Sequence, residues 1–194
     1  SNTINTTPFD NEALFQQADI ESDGDETMVV WVHGEELAYA IYDGYEWHAD
    51  LITYDGYPKS NATLVKYNDK WMVVLTQTDV EGDLSTLRLY YSILDRDGWT
   101  TPQSVTSSDL PEGYPKAVSY DGKVYLAYLR DPDGDISTKD WELYYTMFDG
   151  ESWSSPKCIC DVGPVAQPAV AATEEGVLVA FIRDRDGYFN TSDS

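Results

Sequence analysis

Short apolar runs separated by tight turns extend along almost the whole chain. The clearest runs span residues 27–33, 37–42, 71–77, 89–94, 124–129, 143–148 and 177–182. Apolar residues do not recur at the three- and four-residue spacing of a helix in any long window. The runs are dominated by β-branched and aromatic residues, which favour strands. Asp-Gly pairs stand between neighbouring runs, as at Asp43-Gly44 and Asp149-Gly150, which is typical of β-hairpins. The pattern therefore predicts an all-β protein.

The runs repeat with a period near 53 residues. Equivalent residues fall at Ala62, Pro115 and Pro168, at Trp71, Val124 and Val177, at Gln77, Arg130 and Arg183, and, with spacings of 52 and 54, at Trp47, Trp99 and Trp153. Four short strands in a repeat of this length predict a β-propeller of four-stranded antiparallel blades. We name the strands of a blade a to d from the axis outwards. Strand b is apolar on both faces, and the Trp that opens strand d is expected to pack between blades.

The repeat divides the chain into a leader and one propeller domain. Residues 1–8 form the leader and residues 9–194 the domain, with blade 1 at about 9–53, blade 2 at about 54–109, blade 3 at about 110–162 and a half-blade at 163–194. About three and a half blades leave open strand edges, which proteins in water generally cover. We therefore expect a partial propeller completed by further blades of a larger chain, or one that closes with a second copy as a homodimer.

Composition narrows the functional classes. Of the 194 residues, 42% are hydrophobic, and 35 acidic against 12 basic residues give a formal charge of −23. Such a surface repels phosphate backbones and anionic bilayers, which argues against nucleic acid as a partner. No apolar run reaches the length of a membrane span, so membrane insertion is not expected. We expect a secreted or cell-surface protein, with which glycosylation sequons at Asn5, Asn61 and Asn190 agree.

Two cysteines, Cys158 and Cys160, stand as Cys-Ile-Cys. On a strand they would project from one face with Cα atoms about 6.5–7 Å apart, which is at the limit of disulfide reach. Two cysteines are too few for a zinc site. The sequence leaves open two small buried thiols or one strained local bridge.

Two segments, D-G-E-S-W-S-S-P and D-R-D-G-W-T-T-P, resemble the Asp-box of sialidase-type (BNR) β-propellers. The resemblance covers about 185 residues and implies the propeller fold, with Asp and Gly closing the turn between strands c and d on the bottom face. Sialidase activity does not follow, because that family binds its substrate with three arginines and attacks with a Tyr–Glu pair. The arginines of this chain are Arg88, Arg96, Arg130, Arg183 and Arg185, and no Arg-Ile-Pro motif precedes the first blade.

Candidate ligand contacts lie on the opposite, top face, where the b–c and d–a loops gather. Six residues are expected there: His33, Gln77, Arg130 and Arg183 at the ends of the b strands, and Tyr57 and Tyr114 in the d–a loops. The first four would line a polar cleft, and the tyrosines would stack on the C–H face of a sugar. Two alternatives stay open. The arginines would instead pair with the following Asp131 and Asp184, and the tyrosines would serve only the turns.

The b–c loops of blades 2 and 3 carry alternating carboxylates broken by glycine. The acids are Asp79, Glu81 and Asp83 in one loop, and Asp131, Asp133 and Asp135 in the other. Oxygen ligands at alternate positions around a sharp Gly turn are typical of Ca²⁺ loops, although the full twelve-residue EF-hand pattern is absent. The sequence therefore allows a bound Ca²⁺, or simply solvated polar turns.

No catalytic constellation stands out in the sequence. Serine-nucleophile, P-loop and His-Glu-x-x-His motifs are absent, and 35 acidic residues single out no pair for glycoside hydrolysis. Loops of similar chemistry around one face favour multivalent binding. We therefore expect a non-catalytic binding propeller that recognises a glycan or a partner protein. The alternatives are a fragment of a glycan-processing propeller enzyme and a purely structural scaffold.

Overall fold

The computed structural model describes residues 18–80, 82–138, 140–161 and 164–184. The predicted leader, the first part of blade 1 and residues 185–194 lie outside the described residues. Within the described ranges the chain is all-β, and Leu84–Thr86 forms its only helical turn, a 3-10 helix. The predicted fold class is confirmed. No helix in this part of the chain has the length and apolar character needed to cross a membrane.

The strands form separate antiparallel sheets in chain order. Blade 1 consists of β1 (Asp19–Ser22), β2 (Thr27–His33), β3 (Glu36–Tyr42) and β4 (Trp47–Leu51). Blade 2 consists of β5 (Lys59–Tyr67), β6 (Lys70–Gln77), β7 (Arg88–Asp95) and two short outer strands, β8 (Gly98–Trp99) and β9 (Gln103–Ser104). Blade 3 consists of β10 (Glu112–Tyr120), β11 (Lys123–Arg130), β12 (Glu142–Phe148) and β13 (Lys157–Cys160). The half-blade consists of β14 (Val165–Thr173) and β15 (Gly176–Arg183).

The turns between strands c and d owe their shape to an Asp side chain. Oδ1 of Asp43 accepts the N–H groups of Tyr45 and Glu46 at 2.9 and 3.0 Å. Oδ1 of Asp149 likewise accepts two N–H groups, both at 2.9 Å. The glycine after each Asp has a left-handed φ, 93° and 106°, which other residues adopt only with strain. The predicted Asp-Gly turns are confirmed at both places.

Apolar side chains of neighbouring blades form the core. Met28, Val30 and Leu37 of blade 1 pack against Leu64, Val73 and Leu75 of blade 2, and all six are buried. A second cluster joins blade 2 to blade 3 in the same way, and a smaller one joins blade 3 to the half-blade. Because both faces of a middle strand are covered, its sequence is continuously apolar. Each blade is therefore stabilised mainly by its neighbours.

Two of the three tryptophans predicted to pack between blades, Trp99 and Trp153, do so, whereas Trp47 contacts an aromatic ring of its own blade. Trp99 of blade 2 meets Tyr39 of blade 1 edge to face, with ring centroids 5.5 Å apart. Trp153 of blade 3 meets Tyr91 of blade 2 in the same way at 5.6 Å. The same aromatic contact thus recurs one repeat later, which accounts for the Trp period in the sequence.

Candidate functional site

The predicted top-face residues stand at the strand ends, but they do not form a ring of free donors. His33 and Arg183 are exposed at the ends of β2 and β15, whereas Gln77 is buried at the end of β6. Arg130, at the end of β11, is half-buried. At three blades the end of strand b is paired with the start of strand a, so Lys59 lies opposite Gln77 and Glu112 opposite Arg130. These partners decide which of the predicted residues can reach a ligand.

Arg130 is engaged by Glu112, not by the neighbouring Asp131. Its Nε and Nη2 atoms donate to Oε1 of Glu112 at 2.9 and 2.6 Å, and Glu112 is completely buried. Nη2 also donates to the hydroxyl of Tyr128 at 3.1 Å, and the guanidinium lies 4.3 Å from the ring centre of Tyr144. Thr106 donates to the second carboxylate oxygen of Glu112. Arg130 therefore serves the interior of blade 3, and the predicted pairing with Asp131 is replaced.

Ionisable groups in this cluster hold their charge states firmly. Burial lowers the pKa of Arg130, but the hydrogen bonds and charge of Glu112 outweigh it, so that the pKa lies above its ordinary value. Burial and the nearby carboxylate of Glu112 raise the pKa of Tyr128 far above its ordinary value of 10.0. The arginine stays cationic and the phenol neutral at any physiological pH. The cluster is thus built for structure and not for proton transfer.

A second buried charge cluster joins blade 1 to blade 2 at the repeat position of Glu112. The side chain of Lys59 is 0% exposed and donates to the carboxylate of Asp55 and to the carbonyl oxygen of Tyr57, the latter at 2.7 Å. Oε2 of Glu36 lies 3.7 Å from its Nζ atom. The contact to the Tyr57 carbonyl holds the loop that presents this exposed tyrosine. Tyr57 therefore lies in the d–a loop where the sequence predicted it.

Tyr114 lies in strand β10, not in the loop where the sequence placed it. The pairing of β10 with β11 shifts register between Gly113 and Lys116, and Tyr114 has a φ of 56° at this bulge. Asn61 and Gln167, each 53 residues away, have φ values of 37° and 50° at matching bulges. Asn adopts this left-handed region readily, but a bulky tyrosine does so only at a cost. The bulge is a property of the repeat, and its occupant differs from blade to blade.

These bulges place polar and aromatic side chains on the innermost strands near the top face. Tyr114 is 46% exposed, and its ring meets the half-buried Trp141 edge to face, with centroids 6.0 Å apart. Asn61 and Gln167 occupy the same repeat position on β5 and β14, whose strands contact β10. Sequence reasoning missed Trp141, Asn61 and Gln167. The residues one position before Ala62, Pro115 and Pro168 also follow the 53-residue spacing, and inspection of these positions would have found the two amides.

Gln77 adds a buried polar group to this face. It is 6% exposed, and its Oε1 atom accepts no hydrogen bond from any residue that the structure describes. Buried amide oxygens are normally paired, because an unpartnered one is costly. Oε1 of Gln77 therefore lies below the surface without a hydrogen-bond donor among the described residues.

The predicted acidic ligands divide into four groups. Glu81 lies outside the described residues. Asp83 and Asp135 are occupied locally, because each accepts the backbone N–H and the hydroxyl of the serine two residues later, Ser85 and Ser137. Asp79 is exposed in its loop. Asp131 and Asp133 remain, and the structure brings Asp140 next to them in place of Asp135.

The cysteines are free thiols on the outer strand of blade 3. Cys158 is exposed and Cys160 half-buried, so the expectation of two buried thiols or a local bridge is wrong. The pairing of β13 with β12 shifts register between Cys158 and Cys160, so the two cysteines do not lie at regularly spaced pairing positions. Partial desolvation of its thiol and the charge of Glu142 raise the pKa of Cys158, which argues against a reactive thiolate.

An apolar cavity of about 290 Å³ opens between blade 3 and the half-blade. Its lining includes Tyr145, which stands one repeat after Tyr39 and Tyr91, the two tyrosines that receive a tryptophan from the next blade. The described residues supply no tryptophan at this third place. The cavity therefore corresponds to a packing position between blades.

Solved structures similar to this chain include an arabinanase, a sialidase and a polysaccharide lyase. The α-L-arabinanase of Penicillium chrysogenum complexed with arabinobiose matches with a TM-score of 0.64 and 12% identity over 84% of this chain and 56% of that chain. Trypanosoma rangeli sialidase matches with a TM-score of 0.59 and 12% identity over 86% and 34%. A PL25 ulvan lyase matches with a TM-score of 0.59 and 12% identity over 86% and 48%. The likeness establishes a sialidase-like propeller fold.

The chain spans between about a third and about a half of the length of these three enzymes. No family model and no curated protein sequence matches it. At 12% identity the shared feature is the fold alone.

Proposed function

We propose that the protein is a non-catalytic glycan-binding propeller whose top face takes a neutral sugar on Tyr114 and Trp141. The observation that carries the proposal is the exposed Tyr114, kept at a left-handed φ of 56° beside a second aromatic ring. Strained backbone of this kind persists where the surrounding structure and a function require it. Two aromatic rings at the surface offer the apolar faces on which sugar C–H groups stack.

Amide groups around this pair supply the polar part of a sugar site. Asn61 and Gln167 stand at the equivalent bulges of the adjoining inner strands. Amides both donate and accept hydrogen bonds, as sugar hydroxyls do. Three of the predicted ligand residues, Tyr57, His33 and Arg183, are exposed and can contact the sugar. Arg130 supports the site only indirectly, because its guanidinium is bound to Glu112. The formal charge of −23 favours neutral over anionic glycans.

Binding of oligosaccharides to purified protein tests the proposal. A glycan array that spans neutral and acidic sugars, followed by calorimetry with the best neutral ligand, should give a dissociation constant in the range of about 0.1–1 mM, as expected for a few stacking and hydrogen-bond contacts. Tyr114→Asn should abolish binding and leave stability unchanged within about 1 kcal/mol, because Asn suits the left-handed backbone. Tyr45→Ala, in the turn on the opposite face, is the matched control and should bind normally.

Two results would contradict this function. One is an array without binding above background; the other is equal loss of binding in the Tyr114 and Tyr45 variants. Selective capture of a protein without any sugar would favour the partner-protein reading instead.

A fragment of a glycan-processing enzyme is the second candidate, because the structural neighbours include arabinanase, arabinofuranosidase and sialidase propellers. The proposal of a binding propeller has three further parts. The repeats are of the Asp-box type, and the protein lies at the cell surface or outside the cell. Further blades or a second copy complete the half-blade. Release of reducing sugar from arabinan by the purified chain would favour the enzyme. Absence of the protein from the surface of intact cells and from the medium would refute the location.

A further inference from the structure

Three carboxylates come together on the top face of blade 3. Asp131 follows the last residue of β11, Asp133 lies in the same loop, and Asp140 lies shortly before β12. One carboxylate oxygen from each lies within 4.8 Å of the other two. Two opposite ligands of an ion with bonds of about 2.4 Å are about 4.8 Å apart, so the three oxygens fit one Ca²⁺ coordination sphere.

Asp131 points to a ligand on separate grounds. It is 0% exposed, and its Oδ1 atom accepts the N–H of Gly134 at 2.7 Å. Its Oδ2 atom is buried too, yet it accepts no hydrogen bond from any residue in the described ranges. A buried carboxylate oxygen without a hydrogen-bond donor or a cation is disfavoured. The adjacent Arg130 does not serve it, because that guanidinium is bound to Glu112.

Electrostatics of the loop agree with this geometry. Burial raises the pKa of Asp131, and the charges of Asp140 and Asp133 raise it further. The three carboxylates therefore repel one another, and that of Asp131 does so from a buried position. A divalent cation would turn this repulsion into attraction, which also explains how a fully buried acid is tolerated in so acidic a chain.

We propose that the loop between β11 and β12 binds Ca²⁺ through Asp131, Asp133 and Asp140. Oxygen ligands alone select a hard cation, and a loop tolerates the variable geometry of Ca²⁺ better than the strict octahedron of Mg²⁺. Water supplies the remaining ligands of the usual six to eight. Asp135, which the sequence favoured, is excluded by its bonds to Ser137. The site does not depend on the proposed sugar function.

Metal binding to the full chain, freed of cations with a chelating resin, tests the site. Calorimetry should give one Ca²⁺ per chain with a dissociation constant of about 10⁻⁴–10⁻³ M. The melting temperature should rise by about 3–10 °C at 10 mM Ca²⁺, relative to NaCl of equal ionic strength. The NaCl reference is needed because salt alone relieves self-repulsion of a chain with a charge of −23. Terbium should luminesce on excitation of Trp141, the neighbour of Asp140.

Single amide variants assign the ligands. Asp133→Asn and Asp140→Asn change residues that are not fully buried, so both should fold, and each should weaken Ca²⁺ binding at least about tenfold. Asp135→Asn removes the same charge from the same loop and should change the affinity less than about twofold. No calorimetric heat and no melting shift beyond that of NaCl would overturn the proposal. Equal effects of all three variants, or an equal shift with Mg²⁺, would reduce the cluster to general charge screening and overturn it as well.

Discussion

The Arg130–Glu112 pair offers the sharpest test of how blade 3 is held together. In Arg130→Met the completely buried carboxylate of Glu112 loses two charged hydrogen bonds, at 2.9 and 2.6 Å, and keeps the one from the hydroxyl of Thr106. Removal of one partner of a buried ion pair costs about 3–5 kcal/mol, because an uncompensated charge remains inside. With a urea m value of about 2 kcal/mol/M, the unfolding midpoint should fall by about 1.5–2.5 M.

Two companion variants separate this buried charge from simple loss of side-chain packing. Removal of the charge as well, in the double variant with Glu112→Gln, should restore about 1–3 kcal/mol of the free energy of unfolding. Arg96→Met, at an exposed position in the turn before β8, should change stability by less than about 0.5 kcal/mol. The measurement is urea unfolding followed by tryptophan fluorescence. A loss under 1 kcal/mol for Arg130→Met, or a double variant no more stable than the single one, would refute the reasoning.

Three further outcomes follow from the structure. Trp153→Ala should cost about 3 kcal/mol in urea unfolding, because its ring fills the junction between blades 2 and 3. The hydrogen bond from Lys66 lowers the pKa of Asp23 to about 2, so this group stabilises the fold above its ordinary pKa of 3.8 and loses that effect as pH falls through about 2. Asp23→Asn should therefore flatten the dependence of stability on pH in this window. Self-association of the chain is expected, since Leu178 is 62% exposed on β15, which pairs only with β14 among the described residues. Light scattering should show that Leu178→Lys lowers the associated fraction, whereas Val80→Lys, which adds the same charge in a loop, does not.

Each of these outcomes has a clear counter-result. Unchanged stability of Trp153→Ala would mean that the aromatic contact between blades contributes little. A pH profile of Asp23→Asn identical to that of the parent chain would show that the carboxylate is not specifically stabilised. A mass of 21.8 kDa for the parent chain at high concentration would mean that the open edge is protected without a partner.

Local sequence pattern determined most of the fold. Alternation of apolar residues, the Asp-Gly turns and the 53-residue period depend on interactions within a strand pair or between equivalent strands, and these repeat along the chain. The structure therefore confirms the strand order, the turns at Asp43 and Asp149, and the packing of Trp99 and Trp153 between blades. Because each repeat contains these features, they occur three or four times in the chain and can be recognised from a single sequence.

Tertiary structure alone decided which side chains meet at the top face. Arg130 binds Glu112, eighteen positions earlier, and not the adjacent Asp131, because the carboxylate of Glu112 faces it across the strand pair. Asp140, and not Asp135, lies beside Asp131, because the loop brings the chain back to the start of β12. The bulge turned Tyr114 outwards within a strand. Pairings across strands and loops depend on register and on backbone direction, and neither is set by spacing along the chain.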